Sequence, residues 1–444
     1  MTTRQRFEKV LVIGANGYLG GHIVQEFVKQ GNMQVFAGSR GQKDGVDFGD
    51  AVTPVTVDLL AGIVPRDLLA NMDVVVFAAG RTWTPGTPPR AYVQANVGLT
   101  QRFFEELPRS ESLRVLFTSS LSTVAGTTQR TALTEESGRQ DVCERRLNPY
   151  DQAKRECERI ALQQSDLGRD VVVLNPGFLI GPAADFGTNA APPYATTWAL
   201  TGKCPFIVDA ALTFADVRDV ARGYVFAMNH GRGSQRYILG GHDLLRSEFY
   251  EQLSEMTGVT APRGVPNPVL TALATMTDAA SWMSCGLIAS PVHRSFAPSQ
   301  SLHYCGDSAK AIRELGYTIT PLAQTVADML RQDVAAGRLP EHFSFLCEVP
   351  EAEWPEYLLL QQLVRQHHCR RSLTPKLLKL YSACRINHDL RAALKSLLET
   401  SRFAPYRGRF VWKNRASSRK HMAVLGQFFD YVYFSSAEFL ESVQ

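Results

Sequence analysis

A glycine triplet set between an apolar run and an amphipathic run constrains this chain more than any other feature. Residues 9–31 read KVLVIGANGYLGGHIVQEFVKQG, with Gly14, Gly17 and Gly20 three residues apart. A strand that turns sharply into a helix leaves backbone N–H groups unpaired at the helix N-terminus, and those groups with the helix dipole favour an anion. Gly14 lets the chain turn, Gly17 lets a ligand approach the backbone, and Gly20 lets the helix lie close on the sheet. The anion that suits such a cradle is a dinucleotide pyrophosphate, with Asn16, Tyr18 and Leu19 completing the turn that lines it.

The same alternation continues downstream. β-rich runs at 10–14, 33–38, 53–58, 73–79, 114–120 and 170–177 alternate with helical patterns such as 20–30 and 92–107. The strands are nearly all apolar, as expected where helices cover both faces of a parallel sheet. Repeated strand–helix units with right-handed crossovers predict an α/β fold, a doubly wound parallel sheet of Rossmann type, over residues 1–182. After Pro182 the chain is rich in Gly, Ala and Pro to about 205, with a short helix. It then offers a strand entering a helix (212–231), a strand (234–241) and helices at 247–258, 307–317 and 322–337. Residues 183–338 read as a smaller substrate-binding region whose strands return to the sheet. Residues 339–444 read as a basic, mainly helical extension, with fifteen Lys and Arg against Asp389 and Glu399 between 365 and 420. That basic segment is a solvated face, or a docking surface for an acidic partner such as an acyl carrier protein, for phosphate-rich ligands or for a membrane surface.

With 444 residues, 45% hydrophobic and 20% charged, the composition is that of a soluble globular protein of more than one domain. A net charge of +4 implies no acidic partner by itself, and the sparse aromatics of the basic tail disfavour nucleic acid. MTTRQRFEK carries no apolar h-region, so a cytoplasmic protein is expected. Eight cysteines without a CxxC pair read as reduced thiols, and His367 and His368 beside Cys369 have no second ligand pair, so no metal is expected. The most apolar stretch, 266–292, carries Asp278 and lacks a clean run of ~18 apolar residues. It reads as a buried helix or a lid over an apolar pocket, not a membrane span.

The end of the second strand bears on the cofactor. An acid there would accept from a ribose 2′-OH and repel a 2′-phosphate. This chain has Ser39 and Arg40 instead, with no acid before Asp44, and a guanidinium pairs well with phosphate; NADP(H) is expected over NAD(H). Further on, Tyr150 and Lys154 stand four apart in NPYDQAK, so a helix places them on one face, about 5–6 Å apart at Cβ. A nearby ammonium favours phenolate and is expected to pull the phenol pKa down, making Tyr150 a proton donor and acceptor near neutrality. Ser120, just past the fifth strand, would hydrogen-bond a substrate oxygen, with Ser119 or Ser122 as alternatives for that role.

Taken with VDLL (57–60), FAAG (77–80), NVGLT (96–100), FTSSLSTVAG (117–126), LNPGFLIGP (174–182), FADVRDVARG (214–223) and DSAKAIRELGY (307–317), these marks resemble the extended short-chain dehydrogenases and reductases, the NAD-dependent epimerase/dehydratase superfamily. The resemblance covers about 8–338 and is closest to dihydroflavonol-reductase-like and 3β-hydroxysteroid-dehydrogenase-like members. It implies that Asp58 and Leu59 sit beside the adenine, and Ala78, Ala79 and Gly80 beside the nicotinamide ribose. It also implies that Lys154 binds the ribose hydroxyls, that Asn96 supports the lysine through water, and that Ser119, Pro176, Gly177 and Phe178 line the cofactor. Where nucleotide-sugar enzymes carry Arg-x-x-Asn-x-Tyr-Gly-Pro, this chain has Asn175 and Phe178, which weakens that reading. The resemblance thus implies a reductase acting with NADPH on a ketone or aldehyde of an apolar or aromatic small molecule, free or carrier-bound, in a homodimer. An NAD-linked 3β-hydroxysteroid-type dehydrogenase, a nucleotide-sugar epimerase or dehydratase, and a non-catalytic cofactor-binding regulator are the alternatives.

Overall fold

The computed structural model describes residues 7–41, 47–82, 89–110, 112–137, 143–184, 200, 206–257, 259, 261–283 and 295–339. The basic extension, but for Leu339, and most of 183–205 lie outside these residues, as do His367, His368 and Cys369. Of two compact units in the chain, the first (Met1–Leu253 with Thr260–Leu339) holds the sheets and the site.

Seven strands build the main sheet: β1 (Lys9–Ile13), β2 (Gln34–Ser39), β3 (Val52–Thr56), β4 (Val74–Phe77), β5 (Arg114–Thr118), β6 (Asp170–Pro176) and β10 (Arg236–Leu239). Their spatial order is β10-β6-β5-β4-β1-β2-β3, and every neighbouring pair is parallel. The order reverses between β1 and β4, and a doubly wound sheet binds its ligand at the carboxyl ends of the strands beside such a reversal.

Period-two alternation sends successive side chains to opposite faces. Val10, Val12, Val74 and Val76 pack with Ile23, Phe27 and Tyr224 on one face, under α1 (Tyr18–Lys29) and α6 (Val217–His230). Leu11, Val75, Phe77, Phe117 and Val171 pack with Phe103 and Ala161 on the other, under α4 (Leu99–Glu106) and α5 (Pro149–Asp166). Both faces being covered explains why the strands are apolar throughout, each buried Val or Leu contributing about 1.5–3 kcal/mol.

The remaining elements are small. α2 (Arg66–Leu69) and α3 (Pro89–Tyr92) are single turns, and β8 (Phe206–Ile207) pairs with β12 (Arg263–Gly264). β7 (Phe178–Ile180), β9 (Ala211–Asp216) and β11 (His242–Leu245) form a second sheet in the order β11-β9-β7. α7 (Arg246–Thr257), α8 (Asn267–Met283), α9 (Ala309–Leu315) and α10 (Leu322–Ala335) follow.

Two expectations change here. The helix expected over 92–107 is not uniform: Val93–Gly98 forms a π-helical turn that widens the backbone around Asn96 before α4 begins. Of the 266–292 segment, Asn267–Met283 is a helix with much of its surface exposed rather than buried, and 284–292 lie outside the described residues. Val269, Leu273, Met276 and Met283 are large and exposed, while Ala274 is buried. Apolar residues surround this helix rather than forming one stripe, so only one side meets a partner. No helix among the described residues is long and apolar enough to cross a membrane.

Candidate active site

The glycine turn lies at the reversal point. Gly14 has φ +95°, and a Cβ there would stand 2.7 Å from Ala79 N and 2.8 Å from Ala78 C, so the end of β4 presses on it directly. A Cβ at Gly20 would overlap the Gly14 carbonyl oxygen and stand 2.8 Å from its carbon. Gly17 is the N-cap of α1 in extended conformation and offers no side-chain cap. The N–H groups of Tyr18, Leu19 and Gly20 are therefore first-turn donors without intrahelical acceptors. Asn16 Oδ1 is buried and meets no donor among the described residues. An uncapped helix start, a floor without Cβ atoms and an orphaned buried acceptor fit a dinucleotide.

The Tyr18 side chain is turned to another task. Its hydroxyl donates to Gly181 O at 2.7 Å, tying α1 to the end of β7, and burial pushes its pKa well above the usual phenol value. Leu19 packs against the core. Arg40 is exposed just past β2, and Ser39 stands opposite Thr56 of β3. Asp58 closes its own turn, Oδ1 accepting from the N–H groups of Leu60 and Ala61 at 3.1 Å, with Leu59 buried beside it. Ala78, Ala79 and Gly80 follow β4. Gly177 stands where the chain leaves the main sheet after Pro176 for the small one; a Cβ there would sit 2.6 Å from Thr213 O. Phe178 is partly exposed and meets Phe214 edge-on at 5.5 Å.

Helix α5 carries the other half. Asn148 caps it, its Oδ1 accepting from Asp151 N at 3.0 Å, and Pro149 occupies the first turn. Tyr150 lies half-buried with its ring edge-on to Tyr92, centroids 6.2 Å apart, and Ser120 stands near its phenol. Ser120 starts the 3₁₀ turn Leu121–Thr123 that follows β5. Lys154 is buried, and its Nζ donates to Thr118 O at 2.9 Å. Ser120, Tyr150 and Lys154 thus converge on the carboxyl end of β5, one strand from β4.

Two expected roles differ in detail. Burial pushes the Tyr150 phenol above its ordinary pKa, opposed by the nearby Ser120 hydroxyl. The expected lowering by Lys154 is not found; its ammonium is aimed at Thr118 O, and burial lowers its own pKa. Asn96 is buried, but its side chain holds the backbone after β4: Oδ1 accepts from Arg81 N at 2.7 Å and Nδ2 donates to Arg81 O at 3.1 Å. The alternatives to Ser120 also separate. Ser119 is buried and donates to Glu158 Oε2 at 2.5 Å, while Ser122 is buried and sits 3.1 Å from Ser120 Oγ.

Sequence reasoning missed Glu158. Its carboxylate accepts from Ser119, from Thr123 Oγ1 at 2.7 Å and from Asn175 Nδ2 at 2.6 Å, and pairs with Arg236 at 3.3 Å. Glu158 thereby clamps the loop bearing Ser120. It lies four residues past Lys154, itself four past Tyr150, so an acid on the same helix face was the available signal. Asn175 is committed to this interior network.

The family model described as NAD dependent epimerase/dehydratase family matches residues 10–240, just over half of the chain. A protein carrying the name dihydroflavonol 4-reductase, from Synechocystis sp., is 27% identical over 347 residues, covering 71% of this chain and 92% of that one. Sterol demethylase protein B of Methylococcus capsulatus is 26% identical over 338 residues, covering 72% and 96%. The solved UDP-glucuronic acid 4-epimerase from Bacillus cereus, in complex with UDP-glucuronic acid and NAD, matches with a TM-score of 0.56 at 18% identity, over 74% of this chain and 99% of that one. That last likeness is one of fold. With the uncapped glycine turn and the converging serine, tyrosine and lysine, the match leads to one assignment: the chain belongs to the NAD dependent epimerase/dehydratase family and is an NAD(P)-dependent oxidoreductase.

Proposed function

We propose that this protein is an NADPH-dependent reductase of a ketone or aldehyde on an apolar or aromatic small molecule, free or carrier-bound. The observation that carries the reading is the convergence of Ser120, Tyr150 and Lys154 one strand from the reversal point marked by Gly14 and Ala78. Gly14, Asn16, Gly17 and Gly20, with the N–H groups of Tyr18 and Leu19, hold the pyrophosphate; Ser39 and Arg40 take a 2′-phosphate. Asp58 and Leu59 border the adenine, Ala78 to Gly80 the ribose, and Pro176 to Phe178 the nicotinamide end. Bound NADPH supplies a hydride.

Ser120 donates to the substrate oxygen and Tyr150 gives it a proton. Burial raises the phenol pKa, so the phenol rests protonated, which suits reduction. Lys154 orients the ribose hydroxyls, and Asn96 fixes the Arg81 backbone that borders them. Exposed Phe178 and Phe206 offer apolar surface for the substrate. Residues 1–182 serve the cofactor and 183–338 the substrate; the protein works in the cytoplasm as a homodimer paired through α4 and α5.

The test is NADPH oxidation with a panel of steroid ketones, flavanonols, aryl ketones and cinnamaldehyde. Turnover on at least one carbonyl, lost in Tyr150→Phe, is expected. NADPH binding without turnover beyond that variant's rate refutes the reading in favour of a non-catalytic regulator.

A further inference from the structure

Ser120 stands on the turn after β5 and Tyr150 on the first turn of α5. The separation of those two elements decides whether one carbonyl oxygen can meet both side chains. Tyr304 reaches both elements. Its ring packs against the cluster of Leu121, Val124, Ala125 and Ile238 on the Ser120 side, and against Leu133, Leu147 and Leu302 beside the entry to α5. Its hydroxyl donates to Asp151 Oδ2 at 2.6 Å, across 153 residues of chain. Asp151 directly follows Tyr150, and the same Oδ2 accepts from Asn148 Nδ2 at 2.7 Å. Asn148 Nδ2 also donates to Ser299 Oγ at 3.0 Å, and Ser299 Oγ donates to Phe296 O at 2.9 Å. The Phe296 ring meets Tyr92 edge-on with centroids 5.5 Å apart, and Tyr92 is the ring that meets Tyr150. The segment 296–304 therefore grips the start of α5 on both sides of Tyr150.

We propose that Tyr304 is a positioning residue that sets the spacing of Ser120 and Tyr150, holding the first turn of α5 through Asp151 against the turn that bears Ser120. The inference rests on the reductase reading. The backbone of Tyr304 is fixed on β9: its N–H donates to Ala211 O at 2.8 Å and its carbonyl accepts from Thr213 N at 3.0 Å. His303 beside it exchanges two bonds with Thr127, at 2.8 and 3.0 Å. Two residues on, a Cβ at Gly306 would overlap Leu121 Cδ1, so this backbone lies directly on the Ser120 turn. With the backbone so held, the hydroxyl is the part of Tyr304 that reaches α5. A buried tyrosine needs only one acceptor, and a backbone carbonyl serves as well, as Gly240 O does for the Tyr317 hydroxyl at 2.7 Å. Tyr304 instead bonds the residue next to the proton donor. Burial pushes its own phenol well above the usual pKa, so the hydroxyl remains a donor to Asp151 and takes no part in the proton transfer.

The experiment uses the full chain with NADPH and the best carbonyl of the panel. Tyr304→Phe keeps the ring in its clusters and removes the hydroxyl. Its kcat is expected to fall about tenfold, with KM for the carbonyl and affinity for NADPH unchanged, because a misplaced proton donor slows the chemical step without weakening binding. Tyr317→Phe is the control for stability: it removes an interior hydroxyl bond of similar length, and should lower Tm as much while kcat stays at the wild-type value. Asp151→Asn keeps an oxygen for the Tyr304 hydroxyl and should retain kcat to within about threefold, whereas Asp151→Ala should lose about as much as Tyr304→Phe. The double variant Tyr304→Phe/Asp151→Ala should fall no further than Asp151→Ala alone, as two members of one path require. Wild-type kcat in Tyr304→Phe, a raised KM at unchanged kcat, an equal loss of kcat in Tyr317→Phe, or losses that multiply in the double variant each overturn the proposal. If Tyr150→Phe turns over like wild type, the reductase reading falls and the positioning role with it. An inactive Tyr150→Phe beside an unaffected Tyr304→Phe removes the positioning role alone.

Discussion

Substituting Gly20 by alanine tests the cofactor cradle through a single methyl group. That methyl would overlap the Gly14 carbonyl oxygen, 2.8 Å from Gly14 C and 3.1 Å from Ala15 Cα. All three are backbone atoms, so no rotamer change relieves the contact. Carbon atoms pack best at about 3.5–4.0 Å, so α1 must retreat by about 0.7 Å or more. Overpacking of this kind costs about 1–3 kcal/mol, and the better helix propensity of alanine returns at most about 1. The retreat also carries the first-turn N–H groups away from the phosphates, so NADPH affinity should fall by about tenfold to a hundredfold, or 1.4–2.8 kcal/mol. Gly98 is the internal control: it has helical φ and ψ, and nothing lies within 4 Å of its virtual Cβ. Gly98→Ala should leave NADPH binding unchanged and stabilise by up to about 1 kcal/mol. Thermal unfolding with fluorescence titration of NADPH reads both quantities. Wild-type affinity and stability in Gly20→Ala would refute the close packing of helix on turn, and with it the cradle.

Other expectations follow from the same geometry. Arg40→Ala should weaken NADPH about tenfold while leaving NADH nearly unchanged, by titration with each coenzyme. Glu158→Ala removes the acceptor of buried Ser119 and Asn175 and of half-buried Thr123 and Arg236; about 3 kcal/mol of stability should be lost in denaturant unfolding, and kcat should fall as the Ser120 loop loosens. Lys154→Met should raise KM for NADPH and lower kcat in steady-state assays. Asp151 gives a stability signature with a definite sign. Its folded pKa, about 6, exceeds the ordinary 3.8, so the folded state holds this proton more tightly than the unfolded chain. The stabilisation is complete below the unfolded value and disappears as pH rises through 6, a change of about 3 kcal/mol. Asp151→Asn should flatten that limb of the plot of Tm against pH.

The cofactor half of the fold was legible because its constraints are local. Gly14 and Gly20 are dictated by backbone contacts within one strand-turn-helix unit and with its neighbour β4, and apolar runs mark strands buried on both faces. The spacing of Tyr150 and Lys154 was equally local. What the sequence concealed depends on distant partners. Asn96 is bound to Arg81, Lys154 to Thr118, and Asp151 to Tyr304, and no spacing rule specifies which acceptor a buried donor will find. The π-helical turn at 93–98 has the same apolar periodicity as an ordinary helix. That α8 leaves one side exposed was not legible, because a helix apolar all round carries no stripe to show which side is covered.

The account is tested most directly by following the hydride itself. NADPH deuterated at either face of C4 is incubated with the protein and a carbonyl from the panel, and the alcohol is examined by mass spectrometry. The account predicts that deuterium from one of the two labels appears on the carbinol carbon, and that Tyr150→Phe abolishes the transfer while still binding NADPH. Deuterium from neither label in the alcohol, with NADPH bound, would contradict it.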